Sequence, residues 1–319
     1  MSDTRSEKLE NPLSKDFTMR SLLQFALPTI VMMIFMGLYT IGDTVIISRF
    51  VSTDALSALN IVTPVINVIV GLGAMLATGG SAIVAKKMGE GNEKRASQDF
   101  TLIVFAGAIL GAGVAVLGIL LIDKIIWGLG ANAVLFPYCK QYLFILLLFT
   151  PASMMQILFQ NLMVTAGKPG FGMFLSISAG VINVVLDYIF VVVMDMGIAG
   201  SALGTGIGYL IPTVIGIVFF ARAKGMLHFR KPVLDFYVLW KSSSNGFSEM
   251  VSQIATAVTT FLFNLMMMRL LGEDGVAAIT IIIYTQFLLT TLYIGFSMGV
   301  APIISYNYGS KDYKRLKKI

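Results

Sequence analysis

The chain has 319 residues, 56% of them hydrophobic and only 13% charged, with a mean hydropathy of +0.84. Soluble domains run near half apolar and a quarter charged, so this composition excludes a soluble globular protein and points to an integral membrane protein. The net charge of +6 argues for no nucleic-acid partner, because the basic residues are dispersed between apolar runs in a pattern that membrane orientation explains.

Eight apolar runs follow one another, at about 21–47, 56–84, 100–122, 135–159, 171–194, 197–221, 246–268 and 276–304. Each is long enough, at roughly 1.5 Å per residue, to cross a hydrocarbon core of roughly 30 Å. Their glycines and internal prolines, such as Pro28, Pro64, Pro151 and Pro212, suit bundled helices rather than barrel strands. The expected fold is therefore an all-α membrane protein, a polytopic helical bundle. The polar first twenty residues precede a run too long for a signal peptide, so the first span reads as a retained helix. With the N-terminus placed in the cytoplasm, 19 of the 23 Lys and Arg residues fall on the inner side, and only Arg49, Lys124, Lys140 and Arg269 on the outer. This asymmetry predicts a multi-pass protein of the plasma (cytoplasmic) membrane with a cytoplasmic N-terminus. The single cysteine, Cys139, excludes an intrachain disulfide and a cysteine metal cluster. The sole histidine, His228, lies in a connector, away from the spans. With neither a phosphate loop nor HExxH, and no nucleophile or metal cluster inside the spans, the chain reads as a non-enzyme without a resident cofactor.

The chain repeats itself at a shift of 220 positions. Arg49, Asp54 and Ala58 pair with Arg269, Asp274 and Ala278. In the same register, Gly79, Ile83, Gly89, Lys94 and Arg95 pair with the identical Gly299, Ile303, Gly309, Lys314 and Arg315. Spans 1 and 2 thus correspond to spans 7 and 8, giving six spans per unit, and an even number makes the two units parallel in the membrane. The expected organisation is a six-helix N-terminal lobe over 1–221, a cytoplasmic amphipathic connector over 222–245, and the first two helices of a C-terminal lobe over 246–319. A complete second unit brings the total to twelve spans, so the reading expects a chain truncated within its second half.

Three acids lie inside otherwise apolar runs: Asp43, Asp187 and Glu249. A charge there costs at least a few kcal/mol, so each is a functional candidate. Asp43 lies six residues before Arg49 and Asp187 eight before Asp195, so both sit about 10 Å below the outer interface. Thr205 reaches the same layer on the returning span. Asn183 shares a helix face with Asp187, and Tyr39 with Asp43. Such oxygens suit a small monovalent cation, sodium at Asp43, Asn183, Asp187 and Thr205, or a carboxyl pair that shares a proton. Glu249 has no acidic counterpart in the first unit, where Thr29 takes its place, and suits attraction of a cationic substrate. Gly107-xxx-Gly111 and Gly200-xxx-Gly204-xxx-Gly208 read as close helix contacts.

Leu27-Pro28 followed by Asp43, Ser57-Ala-Leu-Asn60, Gly167-Lys-Pro169, Asn183-xxx-Asp187 and Gly197-Ile-Ala-Gly-Ser-Ala-Leu-Gly-Thr205 together resemble the multidrug and toxic compound extrusion (MATE) family, along essentially the whole chain. The resemblance implies a twelve-helix transporter of two lobes around a V-shaped cleft, working as a monomer among membrane lipids. Its implied activity is export of small amphipathic, often cationic compounds in antiport with sodium or protons. It further implies that Asp43, Asn183, Asp187 and Thr205 form the cation site of the N-terminal lobe with Tyr39 beside it, and that Glu249 is an acidic cleft residue. The alternatives are a lipid-linked oligosaccharide flippase of the same superfamily, which calls for a more cationic cleft, and a non-functional transporter fragment.

Overall fold

The computed structural model describes residues 11–223, 225 and 227–318, and only some of the side chains between 261 and 288. The repeat partners Arg269, Asp274 and Ala278, and the basic residues Arg5, Lys8 and Lys224, lie outside the described residues or side chains. Every regular element among the described residues is helical.

Local capping starts the bundle. Helix α1, Met19–Phe50, opens with a capping box in which the Thr18 hydroxyl accepts from the Ser21 backbone N–H and the Ser21 hydroxyl accepts from that of Thr18. Helix α2, Thr53–Gly89, is capped by Ser52, and α3, Glu93–Gly128, by Asn92. Each cap satisfies a backbone donor that the first helical turn leaves free. The fourth apolar run is broken: α4, Phe136–Leu148, meets α5, Thr150–Thr165, at 54°. Pro151 explains the break, since it has no N–H for Leu147 and its ring crowds that carbonyl. Helix α6, Pro169–Asp187, passes into a π-helical turn, Tyr188–Val193, before α7, Gly197–Arg222.

The last long element, α8, is helical over Phe236–Gly309, followed by the short α9, Tyr313–Leu316. A straight helix of that length would reach about 110 Å. Yet Ser242, near its start, touches Gly79, and Gly309, at its end, touches Lys86, points only about 11 Å apart along α2. The segment therefore doubles back into two antiparallel limbs. Six helices are long and apolar enough to cross a membrane among the described residues, or seven with α4 and α5 taken as one broken span. The eight apolar runs correspond to α1, α2, α3, α4 with α5, α6 with its π turn, α7 and the two limbs of α8.

Glycine contacts display the repeat in space. A methyl group on Gly89 would overlap the Tyr306 carbonyl, and one on Gly309 would overlap that of Lys86; the two glycines are 220 positions apart, and so are Lys86 and Tyr306. Gly79 abuts Ser242 and Gly246 on the first limb, while Gly299 abuts Ala26 and Thr29 on α1, again the same shift. The first limb packs on α2 as the second packs on α1, the relation expected of parallel repeats about an axis along the bundle. Without a hydrophobic drive between helices in lipid, such backbone proximity supplies the packing. At the same end of the bundle, Phe100, Phe159 and Phe220 are buried together, with ring centroids 4.7 and 5.7 Å apart. Apolar side chains such as Ile109, Leu117 and Leu120 of α3 remain exposed, as a lipid-facing surface requires.

A methyl at Gly79 has no space to enter, whereas Gly113 faces nothing within 4 Å. Gly79→Ala is expected to destabilise the protein by about 1–3 kcal/mol, and Gly113→Ala to leave stability unchanged or slightly raised. Thermal unfolding in detergent compares the two; equal midpoints would contradict the crossing geometry.

Candidate cation-coupling site

Three helices deliver the site. Asp43 comes from α1, Asp187 from the last residue of α6, and Ser201, Gly204 and Thr205 from α7. The helix after Asp187 widens into the π turn, in which Met194 N–H bonds to the Ile189 carbonyl. Turns of this type recur at functional sites because they redirect side chains within a helix. The glycines at 200, 204 and 208 form one face of α7 against this element. Gly200 meets the Phe190 backbone, Gly204 the Asp187 carboxyl and Gly208 the Asn183 Cβ. The close-contact reading of that glycine series matches this packing.

Asp187 is 0% exposed. Its carboxyl faces that of Asp43 at hydrogen-bonding range, and neither of its oxygens has a hydrogen-bond donor. Asp43 accepts a bond of 2.9 Å from the Ser201 hydroxyl. One helical turn nearer the basic end, Asn183 Nδ2 donates to Thr205 Oγ1 at 3.4 Å, and the amide oxygen of Asn183 is left without a donor. A cavity of about 10 Å³ opens beside it, lined by Tyr39, Gln156, Ser176, Asn183, Thr205 and Tyr209 among others. That volume is at the lower limit for one water-sized occupant.

The arrangement has an acceptor surplus. Two oxygens of Asp187 and one of Asn183 lack donors, and two like charges in contact inside a protein repel by about 4 kcal/mol at an effective dielectric of 20, so the two carboxyls do not readily ionise together. A proton shared between the acids, or a small hard cation, relieves both deficits. The donor set is oxygen throughout and fits either. The described residues contain no cluster of three or more His, Cys, Asp or Glu side chains that could hold a metal ion.

The structure brings Asp43, Asn183, Asp187 and Thr205 together, with Tyr39 one turn from Asp43 on the cavity wall. Glu249 is elsewhere. It lies on the first limb of α8, next to Met250, which packs against Gly71 of α2, and it does not line the cavity. Ser201, Gln156, Ser176 and Tyr209 were not anticipated. Ser201, Thr205 and Tyr209 fall four positions apart on α7, a polar stripe in an apolar helix that periodicity can detect. A second buried acid, Asp99 at 0% exposure, also escaped the sequence reading; its partner Arg95, at 3.2 Å, precedes it by one turn.

With this geometry established, comparisons with known proteins give a consistent result. The MatE family model matches residues 28–189 and 250–319. The multidrug export protein MepA of Staphylococcus saprophyticus is 24% identical over 309 residues, covering 96% of this chain and 68% of the relative. MepA of Staphylococcus haemolyticus is 24% identical over 295 residues, covering 91% and 65%. The fold superposes on an outward-facing multidrug resistance MATE family transporter of the MOP superfamily with a TM-score of 0.88 at 19% identity, covering 96% of this chain and 67% of that one. The chain spans about two thirds of the length of these relatives. A match over more than half the chain, in an all-helical fold of the same architecture, establishes that this chain belongs to the MatE family.

Proposed function

We propose that the protein works in secondary active multidrug efflux, exporting small amphipathic, often cationic compounds by antiport with sodium or protons. The observation that supports this reading is the Asp187 carboxyl, fully buried against Asp43 with no donor to either oxygen. An acid in that position is stable only with a proton or cation, and the loss of that ion changes the packing preferred by α1, α6 and α7. Export follows if substrate and ion prefer different openings of the bundle, because each then shifts the population the other needs. The membrane is the plasma membrane, with the basic end cytoplasmic, where the loops carry most of the positive charge. Relatives named for multidrug export support the substrate class.

In this mechanism Asp43 and Asp187 carry the exchangeable ion, Ser201 orients Asp43, and Asn183 with Thr205 holds the next oxygen layer. Tyr39 and Tyr209 close the adjoining cavity. Gly204 has a positioning role: it lets the Asp187 carboxyl lie against the α7 backbone. Glu249 acts separately, drawing cationic substrates toward the space between the repeats.

Three transport outcomes are expected. Asp187→Asn should lower ion-driven dye efflux at least tenfold in proteoliposomes carrying the full protein, under sodium and proton gradients imposed separately, without reducing membrane insertion; undiminished efflux would sink the assignment. Gly204→Ala places a methyl on the Asp187 carboxyl and should reduce coupled efflux nearly as far, while Tyr209→Phe, which only removes a hydroxyl from the cavity wall, should spare it in part. Glu249→Gln should raise the KM for a monocationic dye about fivefold, from an electrostatic contribution of about 1 kcal/mol, with little change for a neutral one. Equal effects on both dyes would remove Glu249 from substrate attraction.

A further inference from the structure

A second cavity, of about 470 Å³, lies at the basic end of the bundle, away from the acid pair. Its volume falls within the roughly 300–1,000 Å³ of sites for small molecules. Four cations line it: Lys86 and Lys87 of α2, Arg95 of α3 and Lys241 of α8. Two aspartates, Asp99 and Asp235, line it as well, and both are engaged by Arg95. Glu90 sits 3.2 Å from Lys87 and 3.8 Å from Lys86. Lys86 also lies over the Tyr308 ring, 5.4 Å from its centroid, and Lys241 forms no ion pair among the described residues. The net lining charge is +2, or +1 with Glu90 included. This small positive balance suits one phosphodiester and is too low for a polyphosphate.

Exposed apolar residues adjoin the lining residues in sequence. Leu234, Phe236 and Trp240 each immediately precede a lining residue, Asp235, Tyr237 and Lys241 respectively, and are 77%, 78% and 74% exposed. Aromatic residues of this kind anchor proteins at the level of lipid headgroups, and basic pockets between membrane helices recognise anionic headgroups. A soluble anion uses only the cations; a phospholipid uses the cations and the neighbouring exposed apolar side chains together. We propose that this cavity binds the headgroup of an anionic phospholipid, with its acyl chains passing over Leu234, Phe236 and Trp240.

The site spans the repeat boundary. Lys86 comes from α2, Lys241 from the first limb of α8, and Ser305 and Tyr308 from the second, beside the Gly89 and Gly309 crossing. A headgroup held there ties α2 to both limbs of α8 and stabilises the basic end.

The test uses the purified chain in nanodiscs of phosphatidylcholine, with or without phosphatidylglycerol, and in phosphatidylcholine with inorganic phosphate added. Phosphatidylglycerol is expected to raise the Tm, and inorganic phosphate to leave it unchanged. Lys86→Gln with Lys241→Gln should abolish the phosphatidylglycerol increment, through about thirtyfold weaker binding for two lost charges, and keep the Tm of the pure phosphatidylcholine sample. Lys314→Gln with Lys317→Gln removes equal charge outside the cavity and should keep the increment. An increment retained by the Lys86 and Lys241 variant, or lost equally in both variants, overturns the site; stabilisation by phosphate alone overturns the lipid as its occupant. If the cavity variant does not fold, native mass spectrometry of the parent chain decides: phosphatidylglycerol retained over phosphatidylcholine supports the proposal, and equal retention contradicts it. None of these outcomes depends on the transport activity or on Asp187.

Discussion

Two carboxyl groups face each other inside the bundle, and as carboxylates neither has a proton to give. Asp187 is fully buried, its oxygens lack donors, and its neighbour is Asp43. Much of the surrounding structure follows from holding this pair in place. Gly204 brings the α7 backbone against the Asp187 carboxyl, and Ser201 supplies Asp43 with its hydrogen bond. The π turn begins where α6 ends, immediately after the acid. An apolar residue at 187 would remove the acceptor surplus and pack more cheaply. The retention of an acid at such cost is intelligible if the ion it needs is exchanged in use.

Helix α1 connects this site to the crossing at the basic end. It carries Asp43 at one level, and at another Thr29, whose hydroxyl donates to the Gly295 carbonyl of α8 at 2.7 Å. Pro28 lies beside Thr29 and leaves the Gln24 carbonyl without its usual intrahelical donor. Backbone contacts at Gly79, Gly89 and Gly309 have little slack, so a tilt of α1 toward or away from α6 must be absorbed elsewhere in the bundle. This makes α1 the physical candidate for transmitting the state of the acid pair to the other repeat.

Much of the architecture was legible because membrane constraints are strong. Runs of about twenty apolar residues declare spans, and the 220-position register of Gly79, Gly89, Gly299 and Gly309 reappears as paired contacts. The depth of Asp43, Asp187 and Thr205 could be counted from flanking residues, since the helical rise is fixed. What was hidden depended on which helix faces touch. Gln156 comes from the broken α4–α5 span, whose 54° turn follows from Pro151 but whose direction does not. Asp99 looked like a loop acid because it lies near the start of α3, yet tertiary packing buries it beside Arg95. The doubling back of α8 is legible in the spacing of its apolar runs, whereas its continuous helicity is not.

The central claim is that one exchangeable cation occupies the Asp43 and Asp187 pair and is displaced during transport. Its most direct test is the ion released when a cationic substrate binds to the purified protein, read as protons in weak buffer and as sodium with an ion-selective electrode. The account predicts release of about one ion per protein, carried by one of the two species and lost in Asp187→Asn. Substrate binding that releases neither ion, or the same release from the Asp187→Asn protein, would contradict it.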